Sequence, residues 1–172
     1  MDSEFLLLQR MRLGDARAVE TFVTKYYPKI LQYCRLRTGD QGLAEDPTQD
    51  TFERFFRALG EYQHRGKAAN FLYTIAANAC RDLARKNREL PLDTLPDRPD
   101  PAQAQPDLRL DLEAGFRALP EDLQETALLF FFQGCRQREI AKLQGISLPL
   151  VKYRIRRARA LLTDYFREEE PS

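Results

Sequence analysis

The chain has 172 residues, 43% of them hydrophobic and 31% charged. That is enough apolar material for one medium domain or two small ones, and no run of it is long enough to span a bilayer. The net charge of +1 hides a separation: residues 136–159 hold eight basic side chains and one acid, a local +7 that leaves −6 for the remainder. Such a division excludes a uniformly mixed surface and points to one module that seeks phosphate while the rest avoids indiscriminate binding.

Along the chain, hydrophobic spacing predicts helices throughout. No signal peptide is expected, because Phe5–Leu8 is only four apolar residues before Gln9 and Arg10. A first helix covers roughly Ser3–Leu13 and a turn follows at Gly14-Asp15. The second, roughly Ala16–Arg37, carries Val19, Phe22, Val23, Tyr26 and Tyr27 at helical spacing, and Pro28 predicts a kink or break in it. After Thr38-Gly39-Asp40, a third helix runs from about Leu43 to Leu59 with Phe52, Phe55, Phe56 and Leu59 as its apolar stripe. Glu61–Lys67 is a polar loop. A fourth helix, about Ala69–Glu89, turns Phe71, Leu72, Ile75, Ala76, Ala79, Cys80 and Leu83 toward a core.

Leu90–Pro106 holds five of the ten prolines, a density that forbids helix and favours an extended spacer between domains. Beyond it, Asp107–Leu119 is amphipathic, and a helix starting at Pro120-Glu121-Asp122 contains the apolar run Leu128–Phe132 and ends at Gly134. A helix-turn-helix and an acidic tail, Glu168–Glu170, complete the chain. No strand pattern or repeat is present. The expected fold class is all-α: two small helical domains, 1–89 and 107–172, joined by the 90–106 linker.

The helix-turn-helix lies in RQREIAKLQGISLPLVKYRIRRAR, residues 136–159. Gly145 can take the left-handed conformation that ends a helix, Ser147 can N-cap the next, and Pro149 is tolerated in a first turn. Leu148, Val151, Ile155, Ala158 and Leu162 share one face, while Lys152, Arg154, Arg156, Arg157 and Arg159 cover the others. A helix apolar on one stripe and cationic elsewhere fits the major groove of DNA. Cys34, Cys80 and Cys135 are odd in number and lack a CxxC pair, which speaks against a disulfide framework or zinc site, fits a reducing cytosol, and predicts small buried hydrophobes. The lone His64 has no His or Cys neighbour at ligand spacing, so a metal role is not expected; nor is a cofactor or a catalytic residue expected elsewhere.

These residues resemble bacterial RNA polymerase sigma factors. The C-terminal half is similar to region 4 through Leu119-Pro120, Glu139-Ile140-Ala141, Gly145-Ile146-Ser147, Val151-Lys152 and Arg154 to Leu162. The N-terminal half is similar to region 2 through Ala44-Glu45-Asp46, Gln49-Asp50-Thr51-Phe52, Gly66, Phe71-Leu72-Tyr73, Ile75-Ala76, Asn78 and Asp82. Two such modules on a short linker are the layout of the extracytoplasmic-function group, and the resemblance covers nearly the whole chain. Four positions depart from the pattern: Pro47 lies inside the third helix and predicts a late start or kink, Phe71 replaces a Trp, Ala68 a Phe, and Gln144 an aliphatic residue.

The resemblance implies a cytoplasmic, non-enzymatic promoter-specificity subunit. Its partners would be core polymerase (the clamp helices of the largest subunit, and the flap), duplex and melted promoter DNA, and an anti-sigma factor, with no membrane insertion. Lys152, Tyr153, Arg156 and Arg157 would meet the upstream −35 element, while Arg154 and Arg159 would touch phosphates or remain solvated. Arg136 and Arg138 are weaker phosphate candidates. Tyr62, His64, Arg65 and Lys67 would take the base extruded from the −10 element; Phe71, Tyr73 and Asn78 lie beside them, and Arg81 and Arg85, with Lys86 and Arg88, could follow the strand. For Phe71 and Tyr73, core packing is the alternative. Asp46, Gln49, Asp50, Phe52, Glu53 and Arg54, with Glu45, would face polymerase. The rival use of Glu45, Asp46, Asp50 and Glu53, holding Mg²⁺ in an enzyme, lacks an accompanying base, nucleophile or phosphate-cradling loop.

Overall fold

The computed structural model describes residues 3–64, 67–89 and 108–169, the last with only the backbone of 108–111 and 168–169. The linker 90–106, Arg65, Gly66 and the tail residue Glu170 lie outside the described residues. Among those described there are eight α-helices, one π-helical turn and no strand, the expected all-α class. The chain divides into two units, Met1–Leu95 and Pro96–Ser172.

In the first unit, α1 (Ser3–Arg12), α2 (Ala16–Thr38), α3 (Gln41–Ala58) and α4 (Ala68–Glu89) follow one another. Short polar residues set the boundaries. Asp15 Oδ1 accepts from the Arg17 and Ala18 amides at 3.0 and 3.4 Å and so caps α2. Gly39, at φ 79°, ends it. Asp40 Oδ1 then accepts from the Gly42 amide at 2.8 Å and starts α3. The helices α2, α3 and α4 all pack on one another, and α1 lies against α2. Their shared core is aromatic: the Phe22 ring stacks on Phe55 at 4.9 Å and 15°, and meets Phe52 edge-on at 6.5 Å. Ala44, Ala76 and Ala79 are buried where helices approach closely.

Neither proline breaks its helix. Pro28 is exposed on α2, so the carbonyl it deprives of a donor lies on the solvent side, where water can replace that donor. α3 starts at Gln41, two residues earlier than the sequence pattern indicates rather than late, and continues through Pro47. An interior proline costs about 3 kcal/mol; the buried Pro47 ring offsets part of this by packing. The neighbouring buried hydroxyls, Thr48 and Thr51, donate within the helix to Ala44 and Pro47 carbonyls at 2.7 and 2.6 Å. The three cysteines are free and buried, as expected. Cys34 and Cys80 meet, and that thiol–thiol hydrogen bond lowers the Cys34 pKa.

The second unit comprises α5 (Leu108–Arg117), α6 (Glu121–Ala127), α7 (Gln137–Gln144) and α8 (Leu148–Glu169). α6 runs directly into a π-helical turn, Leu128–Phe132, where the sequence pattern indicates one continuous α-helix. The Gln133 amide reaches back five residues to the Leu128 carbonyl at 3.1 Å, and Gly134, at φ 68°, ends the turn. Within it Leu128 and Leu129 are buried, and the adjacent Phe131 and Phe132 both meet the Phe116 ring, at 6.1 and 4.6 Å. Gln144, polar where an aliphatic residue was expected, is matched by Thr126, whose hydroxyl lies 2.8 Å from its Oε1.

Gly115 is where α5 meets the end of α8. A Cβ there would lie 3.0 Å from Phe166 Cζ, 3.3 Å from Tyr165 Cδ1 and 3.4 Å from Leu162 Cδ2. Gly115→Leu is expected to destabilise the C-terminal unit by about 1–3 kcal/mol through overpacking, read as a lower urea midpoint. Gly115→Ala should cost much less, since the atoms it meets are ends of side chains that can shift.

Candidate nucleic-acid interface

Turn chemistry builds the C-terminal surface. α7 ends at Gly145, φ 65° and ψ 35°, and the Ile146 amide closes back on the Ala141 carbonyl at 3.0 Å. Ser147 Oγ accepts from the Leu150 amide at 3.3 Å, capping α8, with Pro149 in the first turn. Val151, Ile155, Ala158 and Leu162 are buried, together with Ile140 of α7. The expected stripe is therefore the internal one. Leu148 is half-buried at its edge.

Helical geometry at 100° per residue puts Tyr153, Arg156 and Arg157 directly opposite that stripe, with Lys152 on one flank and Arg154 on the other. Lys152, Arg156 and Arg157 are exposed and form no ion pair with a described residue; Tyr153 is 52% exposed. Arg154 is half-buried, and its Nε is buried without a hydrogen-bond partner. The Arg159 guanidinium lies 5.5 Å from the Phe131 ring centroid, a cation–π contact. Arg136 is exposed and 3.9 Å from Glu139, and Arg138 is exposed.

In the N-terminal unit the structure brings together four rings. Tyr62 stacks on Phe71 at 4.9 Å and 23°; Phe55 lies 5.8 Å from each; and Tyr62 Oη is 3.2 Å from His64 Nδ1. Tyr62, His64 and Phe71 are half-buried, so each keeps some surface. Burial pushes the Tyr62 phenol up, the Glu4 carboxylate adds to the effect and Arg12 opposes it. The phenol is therefore neutral and able to donate. Lys67, Asn78 and Arg85 are exposed and Arg81 is half-exposed; the Arg81 guanidinium donates to Asn78 Oδ1 at 2.8 Å. Arg65 lies outside the described residues.

Tyr73 is not part of this group. It is 4% exposed, with its ring 5.8 Å from Tyr33 in the core. Two residues along a helix turn about 200°, so Phe71 and Tyr73 face opposite ways, while Phe71, Asn78, Asp82 and Arg85 share a stripe. Core packing is the correct alternative for Tyr73. On α3, Asp46, Gln49 and Glu53 are exposed, whereas Phe52 is 5% exposed and belongs to the aromatic core. Arg54 pairs with Asp50 at 2.7 Å and with Asp82 of α4 at 3.1 Å, and Asp82 lies 3.8 Å from Arg85. This chain of ions joins the polar face of α3 to the basic stripe of α4.

Family models match both units: Sigma-70 region 2 over residues 22–89 and Sigma-70 region 4 over residues 109–162. The RNA polymerase sigma factor CarQ of Myxococcus xanthus is 32% identical over 171 residues, spanning 95% of this chain and 97% of that one. The chain belongs to the extracytoplasmic-function sigma factors of RNA polymerase. The ECF sigma factor SigE of Mycolicibacterium smegmatis is also 32% identical, over 165 residues; the match takes in 88% of this chain but only 64% of that longer protein. Among solved structures, CnrH in complex with the cytosolic domain of CnrY is similar at a TM-score of 0.78 and 25% identity, covering 98% of this chain and 100% of that one.

This sigma factor thus serves promoter-specific initiation with RNA polymerase. The region 2 match opens inside α2 and closes at the end of α4, and α1 precedes it. Sequence reasoning missed three residues here. Asp82 was read only as a motif letter, and Glu4 and Arg12 of α1 carry no signal at all. The backbone groups that Arg12 and Glu4 hold lie 47 to 64 residues away. No helix among the described residues is long and apolar enough to cross a membrane.

Proposed function

We propose that α8 enters the major groove of the −35 element with Tyr153, Arg156 and Arg157 toward base edges. Lys152 and Arg154 flank them on phosphates, and the unpartnered Nε of Arg154 favours an incoming anion. Arg159, held over Phe131, contributes charge from the edge. The observation that carries this reading is the separation on one helix of a buried stripe from an exposed cationic face that no acid among the described residues neutralises. An Arg fork matches guanine O6 and N7, which ties that face to sequence and not to charge alone.

In the N-terminal unit, the Tyr62–Phe71 stack with His64 receives a base drawn from the −10 element, since stacking tolerates any base and lowers the cost of unpairing. Arg65, Lys67, Asn78, Arg81 and Arg85 follow the displaced strand. Asp46, Gln49, Asp50, Glu53 and Arg54 dock on the polymerase clamp, while Phe52 and Tyr73 support these surfaces from inside. The region 4 unit meets the flap. The protein is a cytoplasmic, non-enzymatic specificity subunit, and an anti-sigma factor covers its polymerase-facing surfaces; in support, the similar chain CnrH is found in complex with another protein, the cytosolic domain of CnrY.

Reconstituted transcription tests the whole reading. Core polymerase plus this protein should start RNA at a defined subset of a promoter library; no start from any member would refute it. Asp50→Ala is expected to weaken core binding about tenfold, equivalent to about 1.4 kcal/mol. The fold should be unaffected, because the Asp50–Arg54 pair is partly exposed and worth about 0–1 kcal/mol. Fluorescence titration against core enzyme reads the first effect and thermal unfolding the second.

A further inference from the structure

We infer that α1 is a brace for the base-capturing segment, with Arg12 holding its entrance and Glu4 its exit, so that Tyr62 is presented in a fixed position. The inference rests on the proposed role of the Tyr62–Phe71 stack and adds residues outside the matched region 2 segment, which opens at residue 22.

The geometry is specific. Arg12 Nε donates to the Leu59 carbonyl at 3.0 Å, and Arg12 Nη2 donates to the Tyr62 carbonyl. One guanidinium thus collects a carbonyl left open at the end of α3 and the carbonyl of the capturing residue itself. At the other end of α1, Glu4 Oε1 accepts from the Ala68 amide at 2.9 Å, the first residue of α4, whose N–H has no partner within its own helix. The same oxygen accepts from the Tyr26 hydroxyl at 2.8 Å, and Lys25 Nζ is 4.0 Å from Oε2. The Glu4 side chain is only 12% exposed, so these bonds act in a poorly solvated place. Burial, then the bond to Glu4, pushes the Tyr26 phenol well above its usual range, which keeps it the donor.

Between the two grips Leu8 and Met11 are buried, on the same face of α1. They anchor the helix. Glu4 and Arg12 are eight residues and about 12 Å apart along its axis, and both turn inward onto the backbone that flanks one functional segment. A helix needed only to cover the core would require Leu8 and Met11 and nothing of its charged ends. Fixing both ends of a segment before a base arrives removes ordering that binding would otherwise have to supply.

The experiment uses polymerase reconstituted with the full chain on a promoter that it opens, with permanganate reactivity of unpaired thymines as the readout. Arg12→Met keeps the stem and loses both donations; it is expected to slow opening about tenfold, equivalent to about 1.4 kcal/mol, while core affinity and binding to the upstream duplex stay unchanged. Glu4→Gln, which retains an acceptor oxygen for the Ala68 amide, should lose less than Glu4→Ala. Leu8→Ala is the control, because it removes buried carbon from the same helix and leaves the Glu4 and Arg12 side chains in place. If Leu8→Ala slows opening as much as Arg12→Met at equal thermal stability, α1 merely adds stability and the brace is overturned. Wild-type opening by Arg12→Met, beside a clear defect in Tyr62→Ala, overturns the brace alone. Wild-type opening by Tyr62→Ala removes the base-capture reading on which it rests.

Discussion

Phe55→Ala is expected to destabilise the N-terminal unit by about 3–5 kcal/mol, the range for deleting a fully buried phenylalanine. The Phe55 side chain has no exposed surface and its ring meets four others: Phe22 stacked at 4.9 Å, and Phe56, Tyr62 and Phe71 at 6.0, 5.8 and 5.8 Å. Each aromatic pair adds about 0.5–1.5 kcal/mol beyond its buried area, and the void would open between α2, α3 and α4. Phe55→Leu keeps most of the volume and should cost far less. The chain has no Trp, so far-UV circular dichroism during a urea titration is the suitable probe, with separate transitions allowed for the two units. A loss below about 1 kcal/mol would mean that the aromatic core does not hold this unit together.

The same residue backs the proposed capture site, since Phe55 lies behind both Tyr62 and Phe71. Phe55→Ala protein that remains folded at low temperature should therefore bind core polymerase yet open promoters poorly. Stability and function meet at this side chain because a stacking platform needs a rigid wall behind it.

Arg156→Ala carries the second large effect. Arg156 stands opposite the buried stripe of α8, exposed and without an acidic partner among the described residues. If its fork reads a base, its loss costs about 1–3 kcal/mol on the cognate −35 duplex and much less on random duplex. Lys152→Ala, on the flank, should weaken both duplexes alike and reduce the salt slope by about one. Competition binding at two salt concentrations separates these outcomes. Equal losses for Arg156→Ala on cognate and random DNA would reduce Arg156 to a phosphate contact.

Features resting on local chemistry were legible in the residues. The Gly145–Ser147 turn, the turns at Gly14-Asp15 and Thr38-Gly39-Asp40, and the Val151–Leu162 stripe follow from left-handed glycine, short acceptors and the 3.6-residue period, none of which needs a distant partner. Phe52 and Tyr73 show what motifs leave open. Phe52 belongs both to the apolar stripe of α3 and to a motif expected to face polymerase, and Tyr73 has core packing as its alternative; the packing of α2 against α3 and α4 makes the side they share with the core the buried one. Pro28 and Pro47 mark the same boundary, because a proline breaks or spares a helix according to where its orphaned carbonyl and its ring end up.

By itself, then, the sequence determined an all-α chain, a cationic helix on a capped turn, and the family to which the two modules belong. Only the tertiary structure decided which aromatic rings meet, how Asp50, Arg54, Asp82 and Arg85 link two helices, where Gly115 lets α5 approach α8, and that Glu4 and Arg12 grip the segment around Tyr62. The reason is physical. Caps and periodicity act within a few residues, whereas a ring stack, an ion chain or a helix-end carbonyl caught by a distant guanidinium exists only once segments as far apart as residues 4 and 68 are packed together.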